Sequence, residues 1–179
     1  MLCLEVAKIP TEGLDVDEGL EPGEVHVQGE ESFTLEPGGR LRCRVERRDE
    51  GTIHLQGHLG APLVLECNRC LAQFRFPVEQ DLELFYLPHR EEDEEEDEVA
   101  LSDRDMVVAY YRDDVLDLGD MVREQFFLAT PMKRLCREDC RGLCPTCGAN
   151  RNAVACGCPP PPPDPRLAPL SSVFEKGSS

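Results

Sequence analysis

The sequence predicts an α+β fold: an antiparallel β meander or partly closed barrel with one packed helix, and a C-terminal cysteine-rich module of zinc-ribbon type. Three observations predict it. Within short segments between residues 41 and 87, "LRCRVERR" and "TIHLQGHL" above all, apolar and polar side chains alternate, the period of strands with one buried face. Between residues 117 and 130 the period lengthens to that of a helix. Six of the ten cysteines then fall within the 23 residues 136–158.

Each element follows from its own residues. "CLEVAKI" at the start suits a strand paired with the main sheet, and "EGLDVDEGLEPGE" reads as loop. In "LRCRVERR" Leu41, Cys43 and Val45 share one face, and Arg42, Arg44 and Glu46 the other. "TIHLQGHL" repeats the alternation, with His54 and His58 on its polar, exposed face. "RRDEGT", Arg47 to Thr52, is a hairpin turn between them. "PLVLEC", "AQFRFPV" and "DLELFYL" are further short strands bounded by turn residues. "REEDEEEDE", Arg90 to Glu98, holds eight acids in nine residues and reads as a solvated, disordered linker. "MVVAYY" is one more strand. In "DLGDMVREQFFLATP" Asp117 caps a helix, Asp120 suits its N-terminal dipole and Pro131 ends it. Leu118, Met121, Val122, Phe126 and Ala129 form its apolar face, which Phe127 and Leu128 widen toward burial on two sides. Five consecutive prolines, 159–163, make an extended arm before a short tail. The expected organisation is a β domain at 1–89, an acidic linker at 90–105, strand, helix and cysteine module at 106–158, and arm with tail at 159–179.

Composition excludes some classes. The 179 residues carry a formal charge of −17, which opposes non-specific attraction to nucleic acid or anionic lipid. The opening residues form no signal peptide and no stretch suits a membrane span, so the expected compartment is the cytoplasm, where thiols stay reduced. Disulfides are therefore disfavoured. No nucleophile elbow, phosphate-binding glycine loop or dinucleotide fingerprint is present, so no enzyme and no small-molecule substrate is expected.

Eight cysteines fall into four close pairs: Cys67 and Cys70, Cys136 and Cys140, Cys144 and Cys147, Cys156 and Cys158. Cys3 and Cys43 sit in apolar alternation and read as buried small hydrophobes. Two thiolate pairs enclose one zinc tetrahedrally, so eight ligands suit one or two closed zinc sites. Loop closure favours Cys144 and Cys147 with Cys156 and Cys158, leaving Cys67 and Cys70 to meet Cys136 and Cys140. The rival is a ribbon in which "CNRC" faces "CPTCG". Cys140 to Cys147 also has the C-x₃-C-x₂-C spacing of radical S-adenosylmethionine enzymes, but only 32 residues follow where such enzymes need a large barrel. Thioredoxin-like exchange would want a βαβ frame that neither C-x-x-C has.

"LECNRCLAQFRFPVEQDLELFY", the acidic gap, "LDLGDMVREQFFLATPMKRLCREDCRGLCPTCGANRN", "CGC" and "DPRLAPLSSV" together resemble the YceD family, the large ribosomal RNA subunit accumulation proteins of bacteria and plastids. The resemblance runs from about Leu63 to Val173, and more loosely over the start. It implies a non-enzymatic role in ribosome biogenesis, with large-subunit (23S) rRNA precursor or a large-subunit ribosomal protein as partner. Family members are often encoded beside a zinc-binding ribosomal protein. The four cysteine pairs match the family's cysteine-rich form; the zinc itself follows from their spacing.

Two basic groups are candidate contacts for RNA or partner: Arg40, Arg42 and Arg44 on one strand, and Lys133, Arg134, Arg137 and Arg141 among the cysteines. Either can meet phosphates, and either can be a solvated face paired with the acidic surface. Chaperoning of a basic, zinc-containing ribosomal protein, its charge shielded by the acidic run, is the alternative function. A thiol redox or metal enzyme is a third.

Overall fold

The computed structural model describes residues 2–25, 33–89, 108–159 and Arg166. The acidic run at 90–98, the proline run beyond Pro159 and the tail apart from Arg166 lie outside the described residues. The chain divides into two compact units. One comprises 1–66 and 73–134; the other comprises 67–72 and 135–179.

Among the described residues the first unit holds all the strands and the helix: β1 (Cys3–Glu5), β2 (Leu14–Leu20), β3 (Phe33–Leu35), β4 (Gly39–Arg47), β5 (Ile53–Glu66), β6 (Gln73–Pro88), β7 (Val108–Tyr111), β8 (Val115–Asp117) and α1 (Leu118–Ala129). The class is α+β. The six-stranded sheet runs β2-β4-β5-β6-β7, with β3 also paired to β5. It does not close into a barrel. It is mixed rather than purely antiparallel, because β7 pairs with β6 in parallel.

Alternation sets the buried face. Leu41, Cys43 and Val45 of β4, and Ile53, Leu55, Leu59, Leu63 and Leu65 of β5, are buried. A fully buried Leu, Ile or Val side chain is worth about 1.5–3 kcal/mol, so a one-residue slip that exposed this row would be strongly disfavoured. Gly57 interrupts the row for a reason: a Cβ there would lie 2.2 Å from the Arg42 carbonyl oxygen. Only glycine lets β4 approach so closely.

Several expectations change. The four short segments between 52 and 87 are two long strands, β5 and β6, paired from Ile53–Tyr86 to Glu66–Gln73. Pro62 and Pro77 look like breakers but oppose each other, so both missing donors fall on one rung of the ladder. Residues 14–20, read as loop, form edge strand β2 against β4. "CLEVAKI" does not join the main sheet; β1 pairs with β8 in a separate two-stranded sheet. His54 is not simply exposed, since its ring stacks on Phe85 at 4.6 Å. Cys43 is buried, whereas Cys3 is partly exposed and bonds to Asp117.

Helix α1 keeps its expected ends. The Asp117 carboxylate accepts the Gly119 and Asp120 N–H groups at 2.8 and 3.0 Å. At the other end the Thr130 N–H and hydroxyl both donate to the Phe126 carbonyl. Leu118, Met121, Val122 and Phe126 are buried, but Phe127 and Leu128 are exposed. The helix is thus buried on one side only. The Oε1 of buried Gln125 accepts from Gln80 Nε2 at 2.8 Å.

Candidate metal centres

Among the described residues the second unit is built by cysteine-bearing turns rather than by regular elements. The loop 67–72 joins β5 to β6 and contains "CNRC". Within it the Leu71 N–H donates to the Cys67 carbonyl, and the Cys67 N–H to the Ala72 carbonyl. "CPTCGA" repeats the pattern: Gly148 N–H to Cys144 carbonyl, Cys144 N–H to Ala149 carbonyl. Both turns place the residue after the second cysteine at positive φ, +58° for Leu71 and +72° for Gly148. Glycine adopts that geometry freely and leucine does not. The same knuckle therefore occurs twice, once relaxed and once held against a steric cost.

The eight paired cysteines gather in two quartets, Cys67, Cys70, Cys136 and Cys140, and Cys144, Cys147, Cys156 and Cys158. This is the grouping that loop closure favours, and "CNRC" does not face "CPTCG". Within each quartet the sulfurs lie within 4.8 Å of one another. Cys67–Cys140 and Cys70–Cys136 are separated by 3.8 and 3.7 Å. Four sulfurs at ~2.3 Å around a tetrahedral ion lie about 3.8 Å apart. The donor set and spacing fit a thiophilic ion such as zinc, with all four positions taken by protein.

The electrostatics agree. Burial alone raises the Cys67 thiol, but N–H donors of Cys136, Arg69 and Cys70 outweigh it and bring the thiol to about 6. N–H groups of Cys147 and Thr146, helped by Cys156, bring Cys144 to about 6. Their neighbours move the other way. Burial and the adjacent sulfurs push Cys136 to about 12; the bond to Cys147, then burial, pushes Cys158 to about 12. Four clustered sulfurs cannot all ionise beside one another, and a divalent cation removes that conflict.

Asn152 links the quartets, and sequence reasoning missed it. Its Oδ1 accepts from the Arg137 guanidinium and the Arg141 N–H, both at 2.8 Å. Both partners can only donate there, so the amide is oriented with Nδ2 toward Cys140 Sγ, at 3.3 Å. The same Nδ2 also donates to Asn150 Oδ1 at 2.8 Å. Asn152 lies between Cys147 and Cys156 of one quartet and supports a sulfur of the other. Arg69, inside "CNRC", adds a bond from its guanidinium to the Cys140 carbonyl at 2.8 Å. A polar amide between two ligand pairs was the available signal.

The basic candidates separate. Arg40 and Arg42 both meet Asp17, and Arg44 meets Asp15, Glu46 and the Glu12 carbonyl. Strand β2 supplies Asp15 and Asp17 in register with these arginines. Arg137 is held by Asn152 and Asp139. Lys133 and Arg141 are exposed, and Arg134 is half-buried.

Comparison with known proteins places these features. The family model described as "Large ribosomal RNA subunit accumulation protein YceD" matches residues 55–174. An uncharacterised protein of Mycobacterium tuberculosis is 40% identical over 133 residues, covering 73% of this chain and 59% of the relative. The chain thus spans 59% of the length of that relative. The uncharacterised protein YlbN of Bacillus subtilis is 22% identical over 173 residues, 96% of this chain and 94% of that protein. A maize relative, named large ribosomal RNA subunit accumulation protein YCED homolog 1, chloroplastic, is 27% identical over 150 residues, 72% of this chain and 51% of its own length. No solved structure matches.

Proposed function

Because the chain belongs to the YceD family, we propose that it is a non-enzymatic ribosome-biogenesis factor promoting accumulation of large-subunit (23S) rRNA, held in working shape by two zinc ions. The observation that carries this reading is the pair of closed cysteine quartets in a chain matched by that family. Four protein sulfurs per ion leave no position for a catalytic water. The metal then supplies folding free energy to a unit that has little regular structure of its own. Cys67, Cys70, Cys136 and Cys140 hold one ion, and Cys144, Cys147, Cys156 and Cys158 the other.

Contact with rRNA falls in this reading to the basic residues of segment 133–141. Arg40, Arg42 and Arg44 already face carboxylates, which favours a role within the sheet for them. The protein acts in the cytoplasm; no helix among the described residues is long and apolar enough to cross a membrane.

A second reading, chaperoning of a basic zinc-containing ribosomal protein, is favoured by the charge distribution. The first unit carries 13 Lys and Arg against 32 Asp and Glu, the second six against four. A basic partner would be drawn to the first unit. Deleting the gene tests the primary reading. Large-subunit rRNA should fall relative to small-subunit rRNA, with fewer complete large subunits on a sucrose gradient. An unchanged ratio in cold and ordinary growth rejects it. A one-to-one complex with a ribosomal protein after ribonuclease treatment selects the second reading.

A further inference from the structure

Most described arginines of this acidic chain are engaged. Arg40, Arg42, Arg44, Arg48, Arg75 and Arg137 face carboxylates. The guanidiniums of Arg141 and Arg151 differ: among the described residues they have neither a hydrogen bond nor an ion pair. Both border one cavity of about 310 Å³. Their proximity is built by the backbone. The Arg151 N–H donates to the Gly142 carbonyl at 2.9 Å, Leu143 bridges Asn150, and the Arg141 N–H is held by Asn152.

Among the described residues no carboxylate lines this cavity, although the chain has 36 Asp and Glu. Its wall is apolar, with Pro145, Val154, Ala155 and Pro159. Two guanidiniums beside this apolar stretch of wall make a site for an anion with a flat or apolar neighbour. Guanidinium N–H groups match phosphate oxygens in paired geometry, and the wall takes the adjoining sugar or base face.

We propose that the cavity bordered by Arg141 and Arg151 binds a phosphodiester of single-stranded RNA. The proposal rests on the rRNA reading above and names where in the second unit the contact lies. Cys144, Cys156 and Cys158 border the same cavity, and a zinc tetrathiolate carries a formal charge of 2−. The two arginines bring the rim to neutrality, so directed N–H···O bonds, rather than net charge, select the ligand. An acidic peptide offers similar oxygens but not the adjoining base.

The test uses the full, zinc-loaded chain and three probes, a labelled single-stranded RNA oligonucleotide, a large-subunit rRNA transcript and an acidic peptide. Arg141→Gln with Arg151→Gln is compared with Lys8→Gln with Arg75→Gln, which removes the same charge elsewhere. The first pair should weaken RNA binding about tenfold or more near 0.1 M salt and flatten the log-affinity against log-salt slope by about 1.4, two phosphates at ~0.7 each. Zinc content should not change, and the control pair should bind as the parent does. Equal loss in both variants, binding only of an acidic peptide, or no RNA binding by the parent overturns the proposal. Loss of zinc from the first pair also overturns it, because the arginines then serve the cluster's charge. If deletion lowers the rRNA ratio and the first pair restores it fully, the family reading stands and this site fails.

Discussion

The two cysteine quartets share a knuckle but solve different problems. Cys144, Cys147, Cys156 and Cys158 close over short distances: eight residues separate the two pairs. Cys147 is exposed, and Cys156 and Cys158 are partly so. The other quartet joins Cys67 and Cys70 to Cys136 and Cys140 across 65 intervening residues, and three of its four members are buried. Three doublings of loop length add about 2 kcal/mol to closure of a flexible chain. That chain is the sheet and helix, so most of the ordering is already done when the sulfurs meet. The local quartet makes a small fold out of its own sequence. The distant one fastens a hairpin loop to a segment that follows the helix. Asn152, carried on the local loop, lends its amide to a sulfur of the distant quartet.

The comparison breaks most visibly by removing one quartet. Cys144→Ser with Cys147→Ser should reduce bound zinc from two ions to one per chain after anaerobic preparation, measured by elemental analysis. The β-sheet's thermal unfolding should stay within about 2 °C of the parent, because the sheet's buried apolar rows lie in the first unit. Loss of both ions, or collapse of the sheet transition, would show that the quartets do not form separately.

Asn152→Ala asks whether the link between quartets matters. The residue ligates nothing, yet its amide supports Cys140. Outer-shell partners of metal ligands are worth about 10–100-fold in affinity. Competition with a chromophoric chelator should show that loss at the quartet containing Cys140. Cobalt substitution should report it as a changed thiolate charge-transfer band. Parent-like affinity at both sites would leave Asn152 a bystander.

The smallest effect separates the two knuckles. Gly148→Ala puts a side chain at φ +72° in open space, so backbone strain alone should destabilise the second unit by about 1 kcal/mol. Leu71→Gly removes comparable strain at φ +58° and should be neutral or stabilising. Chelator-induced unfolding midpoints measure both. A marked loss in Leu71→Gly would mean that the exposed leucine side chain is needed for more than the turn.

The sequence by itself determined the class of each local element. Alternation at 41–45 and 53–59 identified buried strand faces, because a pleated strand repeats every two residues whatever it pairs with. The capping Asp117, the apolar spacing through Phe126 and the stop at Pro131 bounded the helix, because these interactions lie within a few residues of one another. Close cysteine pairs made metal the expectation and loop closure favoured one grouping of the eight thiols, but the rival ribbon fell only when the fold brought Cys67 and Cys70 to Cys136 and Cys140. Tertiary structure decided what depends on a distant neighbour. "LDVDEGL" reads as an acidic loop until β4 offers Arg42 and Arg44 to its aspartates. Pro62 is a breaker until Pro77 stands opposite. The parallel seating of β7, the separate pairing of β1 and the amide of Asn152 on Cys140 depend on partners 12 or more residues away. Propensity is a property of the chain nearby, whereas a hydrogen-bond partner is chosen by whatever the fold brings within 3 Å or so.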